Sequence, residues 1–328
     1  MSAQSYHSTR VLIGDFRPED QISGAPSALR PILNHMGFSQ VSTSQDESGL
    51  EQSLMLSDAD LVIFEHSADT STNAFDVIHK LRHGTLGRDP FLPVLGFTGE
   101  VTEDVAKGAV GSGLDNLLTD QAGQKRFSAA LENLVARRKP FVVTTDYIGP
   151  NRRSENSKRE GQEIPLIPVP NALRCRVTGE PDPVSFAATM VLVQEQKVER
   201  HAAQIAWLTQ RITEVYCETE NTNAALYDKD RSGPGETIVP HIKRLQMVAM
   251  DLALRLVNTR YAHQVFLCNS LLDVSRALAK NPEAPRLRDV GLLAQLSLAL
   301  QKAVRDGDSD DETLAAAMEI VKEVQGTV

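Results

Sequence analysis

The chain has 328 residues and a mass of 35.9 kDa, more than one small core usually organises, so two domains of ordinary size are expected. It is 41% hydrophobic and 5% aromatic, and its 43 acidic against 34 basic side chains give a net charge of -9, which supplies no global positive field to hold nucleic acid or an anionic membrane. The three cysteines, Cys175, Cys217 and Cys268, lack zinc or disulfide spacing, and there is neither an apolar leader nor a run of about 20 apolar residues; a reduced, cytoplasmic protein is expected, with no nucleic-acid or membrane partner.

Through the first 139 residues short apolar runs alternate with helix-like segments, the pattern of a parallel sheet covered on both faces. Strands are predicted at Val11 to Ile13, Val41 to Thr43, Leu61 to Phe64, Pro93 to Phe97 and Asn116 to Leu118, with helices at about 24–36, 48–56, 72–84, 102–110 and 124–138. The expected fold class is therefore α/β, a five-stranded (βα)5 domain, followed by an all-α region. In such a sheet ligands sit at the carboxyl ends of the strands, which directs attention to Asp15, Phe16, Glu65, Thr98 and Asp120.

The strings Val11-Leu-Ile-Gly-Asp15, Asp60-Leu-Val-Ile-Phe-Glu65, Leu92-Pro-Val-Leu-Gly-Phe-Thr98-Gly99 and Gly113-Leu-Asp-Asn-Leu-Leu-Thr-Asp120 resemble the receiver domain of two-component response regulators over about residues 9–138. The resemblance implies an acidic pair after the first strand and an acceptor Asp after the third that together hold Mg²⁺. It also implies a hydroxyl after the fourth strand and a Lys after the fifth that contact the phosphoryl group.

Here Asp15 keeps one acid, but Phe16 stands at the second, Glu65 at the acceptor and Asp120 at the Lys, while Thr98 fits the hydroxyl. Phosphoryl transfer depends on positioning and on neutralising oxygens, so a lost oxygen ligand and a cation exchanged for an anion disfavour phosphorylation at Glu65. Two further readings stay open: Glu65, one methylene longer than Asp, holding Thr98 in a signalling-like arrangement, and weak Mg²⁺ binding by Asp15, Glu65 and Asp120. No other cofactor is expected.

Residues 140–181 read as an extended linker. Tyr147-Ile-Gly-Pro-Asn-Arg-Arg153 resembles a Tyr-x-Gly-Pro-Asp-Arg-Arg signature that follows receiver domains in some bacterial signalling proteins, with Asn151 in place of the usual Asp. Gly149-Pro150 is expected to fix a turn, and Arg152 and Arg153, with Tyr147, are candidates for docking onto an acidic face. Residues 154–161 and the prolines at 165, 168 and 170 suggest a tether.

From 182 to 328 the pattern predicts a helical bundle. Asp182-Pro183 is read as the N-cap and first residue of a helix over about 183–220, with Val191, Val198, Ile205, Leu208, Ile212 and Val215 on one stripe and His201 among them. A second run from Pro240 to Pro282, irregular near Asn258-Thr259, and helices at about 286–305 and 310–325 complete an antiparallel set. Because helices of about forty residues reach about 60 Å, either the second bends or the hairpin pairs with another chain.

A helical bundle beside a receiver is loosely similar to histidine phosphotransfer domains, which implies an exposed His with a nearby Lys and small neighbours. His241 has basic neighbours but lies at a helix start beside bulky Leu245; His263 has no nearby Lys; His201 has small neighbours but sits on the apolar stripe, where a hydrogen-bonded core histidine is the commoner outcome. Glycine-rich phosphate loops, His-Glu-x-x-His pairs and Gly-x-Ser-x-Gly turns are absent from the sequence. The expectation is a non-enzymatic bacterial signalling protein, a homodimer acting on a histidine kinase or another two-component protein, with a phosphorelay transfer protein as the alternative.

Overall fold

The computed structural model describes residues 6–16, 29–56, 58–66, 74–119, 123–153, 164–222, 234–257 and 259–306. They fall into two compact units, Met1–Val193 and Gln194–Val328.

The first unit is built on strands β1 (Arg10–Phe16), β2 (Gln40–Ser44), β3 (Leu61–His66), β4 (Val94–Thr98) and β5 (Asn116–Thr119), all parallel in the order β2-β1-β3-β4-β5. This is the doubly wound arrangement of receiver-like domains. Helices α1 (Leu29–His35), α2 (Glu47–Leu56), α3 (Ala74–Arg82), α4 (Glu103–Ser112) and α5 (Gly123–Arg137) alternate with the strands.

Side chains alternate across the sheet, and two cores result. Val11, Ile13, Leu61, Ile63, Leu95 and Phe97 pack with α1 and α5. Leu12, Phe16, Val62, Phe64 and Val94 pack with α2, α3 and α4. The inner strands are apolar on both faces because helices cover both.

The segment expected to be an extended linker is folded into the first unit. Phe141–Val143 (β6) and Ile148–Pro150 (β7) form an antiparallel hairpin. Ile167 then exchanges two backbone hydrogen bonds with Phe141, at 2.8 and 2.9 Å, so a proline-rich stretch serves as an added edge. Residues 154–161 lie outside the described residues. Gly149 and Pro150 are strand residues opposite Val142 and Phe141; the turn lies before them, closed by the amide of Thr144 donating to the carbonyl of Tyr147.

The hairpin is held by a buried ion cluster at the amino ends of β4 and β5. Asp115 accepts from Arg82 Nη2 at 2.9 Å, from Arg138 Nε and Nη2 at 3.1 Å each, and from the Val94 amide at 2.9 Å. The remaining Arg82 donors reach the carbonyls of Gly113, Pro90 and Leu92. Both guanidinium carbons stand over the Phe141 ring, 5.1 and 5.2 Å from its centroid, close enough for cation–π attraction. Burial pushes the Arg82 guanidinium down to about 10, against the pull of Asp115. Burial alone would raise the Asp115 carboxyl, but the charges of Arg138 and Arg82 outweigh it and hold it below the usual range.

Helix α6 (Ala172–Thr178) is anchored by two buried acceptors. Asn171 caps it by accepting from the Arg174 amide at 3.1 Å and donates to the Leu134 carbonyl, while Arg176 donates to buried Asp60, which Arg10 also grips.

Helix α7 (Phe186–Thr222) begins three residues later than Asp182-Pro183 suggests. The Ser185 hydroxyl accepts from the Ala188 amide, whereas Asp182 accepts from Val184 and Asn171 and so closes the turn before the helix. In the second unit follow α8 (Pro234–Leu256), α9 (Val265–Lys280) and α10 (Leu287–Asp306). The run expected from 240 to 282 is thus two helices. Thr259 ends the first by donating from its hydroxyl to the Leu256 carbonyl, and a 3₁₀ turn at Ala262–Gln264 leads into the next. Pro240 lies inside α8 rather than at its start, and lacks the amide that would bond back one turn. The helix expected at 310–325 lies outside the described residues.

α7 and α8 run antiparallel, as their cross-contacts show: His201 to Asp251, Gln204 to Arg244 and Trp207 to His241, with Glu195 meeting Arg260 in the turn just past α8. One apolar core joins the unit, from Val198, Ile205 and Ile212 on α7 through Leu245 and Leu252 to Leu271 and Leu296.

Replacing Asp115 by Asn keeps the shape but leaves two guanidiniums, both at most 4% exposed, without a counter-charge. Breaking a buried pair in this way costs about 3–5 kcal/mol. Urea unfolding of the full chain followed by circular dichroism should show that loss.

Candidate functional site

At the carboxyl ends of the strands the register sets Asp15 beside Glu65 and Phe16 beside His66, then Glu65 beside Phe97 and His66 beside Thr98. In-register residues of parallel strands share a face. Asp15 and Glu65 therefore lie together on the face that carries Ile13, Ile63 and Phe97, and both are 4% exposed.

Phe16 and Thr98 lie on the opposite face. Phe16 stacks on Phe64 with ring centroids 5.9 Å apart and belongs to the core under α2, α3 and α4. Thr98 is buried, and its hydroxyl donates to the Glu100 carbonyl at 2.9 Å. The arrangement in which Glu65 holds Thr98 is therefore not the one observed, because strand alternation sends the two side chains to opposite sides of the sheet. Asp120 lies outside the described residues.

A Mg²⁺ ion keeps several waters and wants open octahedral space around one or two carboxylates. The Asp15 and Glu65 side chains are nearly closed off from solvent, and Phe16 brings a hydrocarbon ring where the resemblance implies an oxygen. Among the described residues no cluster of three or more His, Cys, Asp or Glu side chains is placed to hold a metal ion. Asp15, Phe16 and Glu65 thus do not supply the open oxygen cluster that the resemblance implies.

The signature after the sheet docks, but on carbonyls rather than carboxylates. Arg152 Nη2 donates to the carbonyls of Ala109 and Leu114, at the exit of α4, where the free carbonyls of a helix end favour a cation. The Tyr147 hydroxyl donates to the Pro150 carbonyl at 2.9 Å. Arg153 is exposed; its amide donates to Asn151 Oδ1. Glycine is required at two facing positions: a Cβ on Gly113, which sits at φ +87°, would collide with the Ile148 carbonyl, and one on Gly149 would collide with the Cα of Gly113. Sequence reasoning did not anticipate Arg82, Asp115, Arg138 and Phe141 as the docking partners. The signal was present only as charges at positions otherwise reading as helix or strand ends.

Of the three candidate histidines, His201 is 2% exposed. Its Nδ1 lies 2.7 Å from the Lys197 carbonyl and its Nε2 lies 2.6 Å from Asp251 Oδ2. A carbonyl can only accept, so Nδ1 carries a proton; neither ring nitrogen is available to a partner. This is the hydrogen-bonded core histidine expected from its stripe. His241 is half-buried with its ring against Trp207, and His263 is half-buried in the 3₁₀ turn. Burial works against ionising Asp251, but the hydrogen bonds from His201 and Arg255 outweigh it and hold its carboxyl well below the usual range.

Two outcomes follow from these contacts. Arg152→Ala should speed amide hydrogen exchange over 141–150 by an amount equivalent to about 1–3 kcal/mol, the value of hydrogen bonds from a charged donor. Asp251→Asn should lower the melting temperature at neutral pH. Because the folded carboxyl ionises below its ordinary 3.8, its stabilisation is complete above that value and lost as pH falls through the folded one. The gap between wild type and variant should therefore shrink when melting is measured below about pH 4.

No model of a known protein family matches the chain, and no curated protein matches it. Among solved structures it is similar to a pilus assembly-related protein from Burkholderia pseudomallei, with 15% identity over 39% of this chain and 90% of that one and a TM-score of 0.31.

Proposed function

We propose that this protein is a non-catalytic bacterial signalling adaptor, in which a receiver-like domain that has lost phosphoryl chemistry and a helical unit that pairs with a second chain act through their surfaces. The observation that carries this reading is the burial of Asp15 and Glu65 side by side on one face of the sheet, with Phe16 and Thr98 on the other. A phosphoryl acceptor needs an open carboxylate, a cation and a hydroxyl converging on one point.

The same reading assigns the partner to the two-component class, a histidine kinase or another regulator, met in the cytoplasm by recognition rather than by transfer. Phosphotransfer on histidine is the competing reading. The burial of His201 and the occupation of both its ring nitrogens weigh against it there.

Full-length protein incubated with Mg²⁺ and a small acyl phosphate should yield no phosphorylated carboxylate by intact-mass spectrometry. A stoichiometric acyl phosphate within residues 1–139 overturns the proposal. An acid-labile label on a histidine after incubation with an active kinase, lost on His241→Ala or His263→Ala, favours the transfer reading.

A further inference from the structure

We infer that the outward face of α8 is a twofold interface between two copies of this chain. The inference deepens the adaptor reading and rests on its claim that the helical unit pairs with a second chain.

Met247, Met250 and Leu254 on α8, and Val257 directly after it, are 59%, 55%, 71% and 56% exposed. The buried face of the same helix is supplied by other residues, Ile242, Leu245, Ala249, Leu252 and Leu256. The exposed four are therefore a second, separate apolar stripe. Among the described residues the internal core is built without it.

Their spacing of three, four and three residues is that of a seam between two helices. Over ten residues the stripe spans about 15 Å. The spacing reads the same in both directions about Leu252, so an antiparallel copy across a twofold axis sets Met247 against Val257 and Met250 against Leu254. An isologous interface requires this self-matching.

The positions bordering the stripe on one side, Gln246 and Ala253, are uncharged, and the exposed Lys243 lies one turn before Met247, at the end of the stripe, where the antiparallel copy sets it against position 261 rather than against itself. On the other side Asp251 is already engaged by His201 and Arg255, so pairing would strand no lone charge there.

Size sets the strength of that pairing. At these exposures the stripe offers on the order of 400 Å² per chain, as large as the biggest apolar patches on monomers. Two copies cover about 800 Å² before flanking residues are added, and specific interfaces begin near 1,200 Å². The dimer is accordingly of modest affinity, in the micromolar range, and depends on the whole stripe.

Sedimentation equilibrium of the full chain from about 1 to about 200 µM tests this. Wild type should pass from the 35.9 kDa mass toward twice that value. Leu254→Glu, and separately Met250→Lys, should remain at the monomer mass with unchanged circular dichroism. In a Cys217→Ser background, Met250→Cys combined with Leu254→Cys should give a covalent dimer on oxidation.

Wild type at the monomer mass throughout overturns the inference. A dimer undiminished in both charged variants overturns it too, because the interface then lies elsewhere. A dimer that the paired cysteines fail to cross-link overturns the antiparallel register. A monomer throughout also removes the pairing half of the adaptor reading, a dimer held elsewhere removes only this interface, and neither bears on whether the receiver-like domain accepts phosphate, so the failures are told apart.

Discussion

Asp115 organises the first unit. A carboxylate at 2% exposure is tolerable only with its charge compensated and its oxygens satisfied. Arg82 from the end of α3, Arg138 after α5 and the Val94 amide at the start of β4 meet both needs at once. The two guanidiniums in turn need a lid, and Phe141 supplies it. A single buried charge thereby ties two helices and two strands to a hairpin that lies beyond them in the chain.

This anchor sits at the amino ends of the strands, while the receiver-like pocket sits at the carboxyl ends. The two ends have followed different physics. One has gathered charge, closed glycine contacts and a docked arginine; the other has filled with Phe16 and Phe64 and folded its two acids inward.

In the helical unit a row of polar contacts lies between α7 and α8, and it is specific in register. His201 can reach Asp251 only if the helices are antiparallel with those residues level, and Gln204 with Arg244 and Trp207 with His241 repeat the condition. An apolar seam alone would tolerate a slip of one heptad; a buried imidazole with two required partners would not.

Periodicity alone determined much of this molecule. The five strands, their helices, the receiver-like order of elements, a long helix placed three residues early at 183 and an irregularity near Thr259 inside one expected run are visible because apolar spacing acts within a few positions. His201 was readable as a core residue for the same reason. What the tertiary structure decided is what depends on residues far apart in sequence. The proline-rich stretch joined the hairpin through a single bridge because Phe141 was in reach of Ile167; the Tyr147 signature docked on carbonyls because α4 ends there; and Glu65 was separated from Thr98 by the parity of two strands laid side by side. Local pattern specifies which faces are apolar, but only packing specifies which neighbour each polar atom meets.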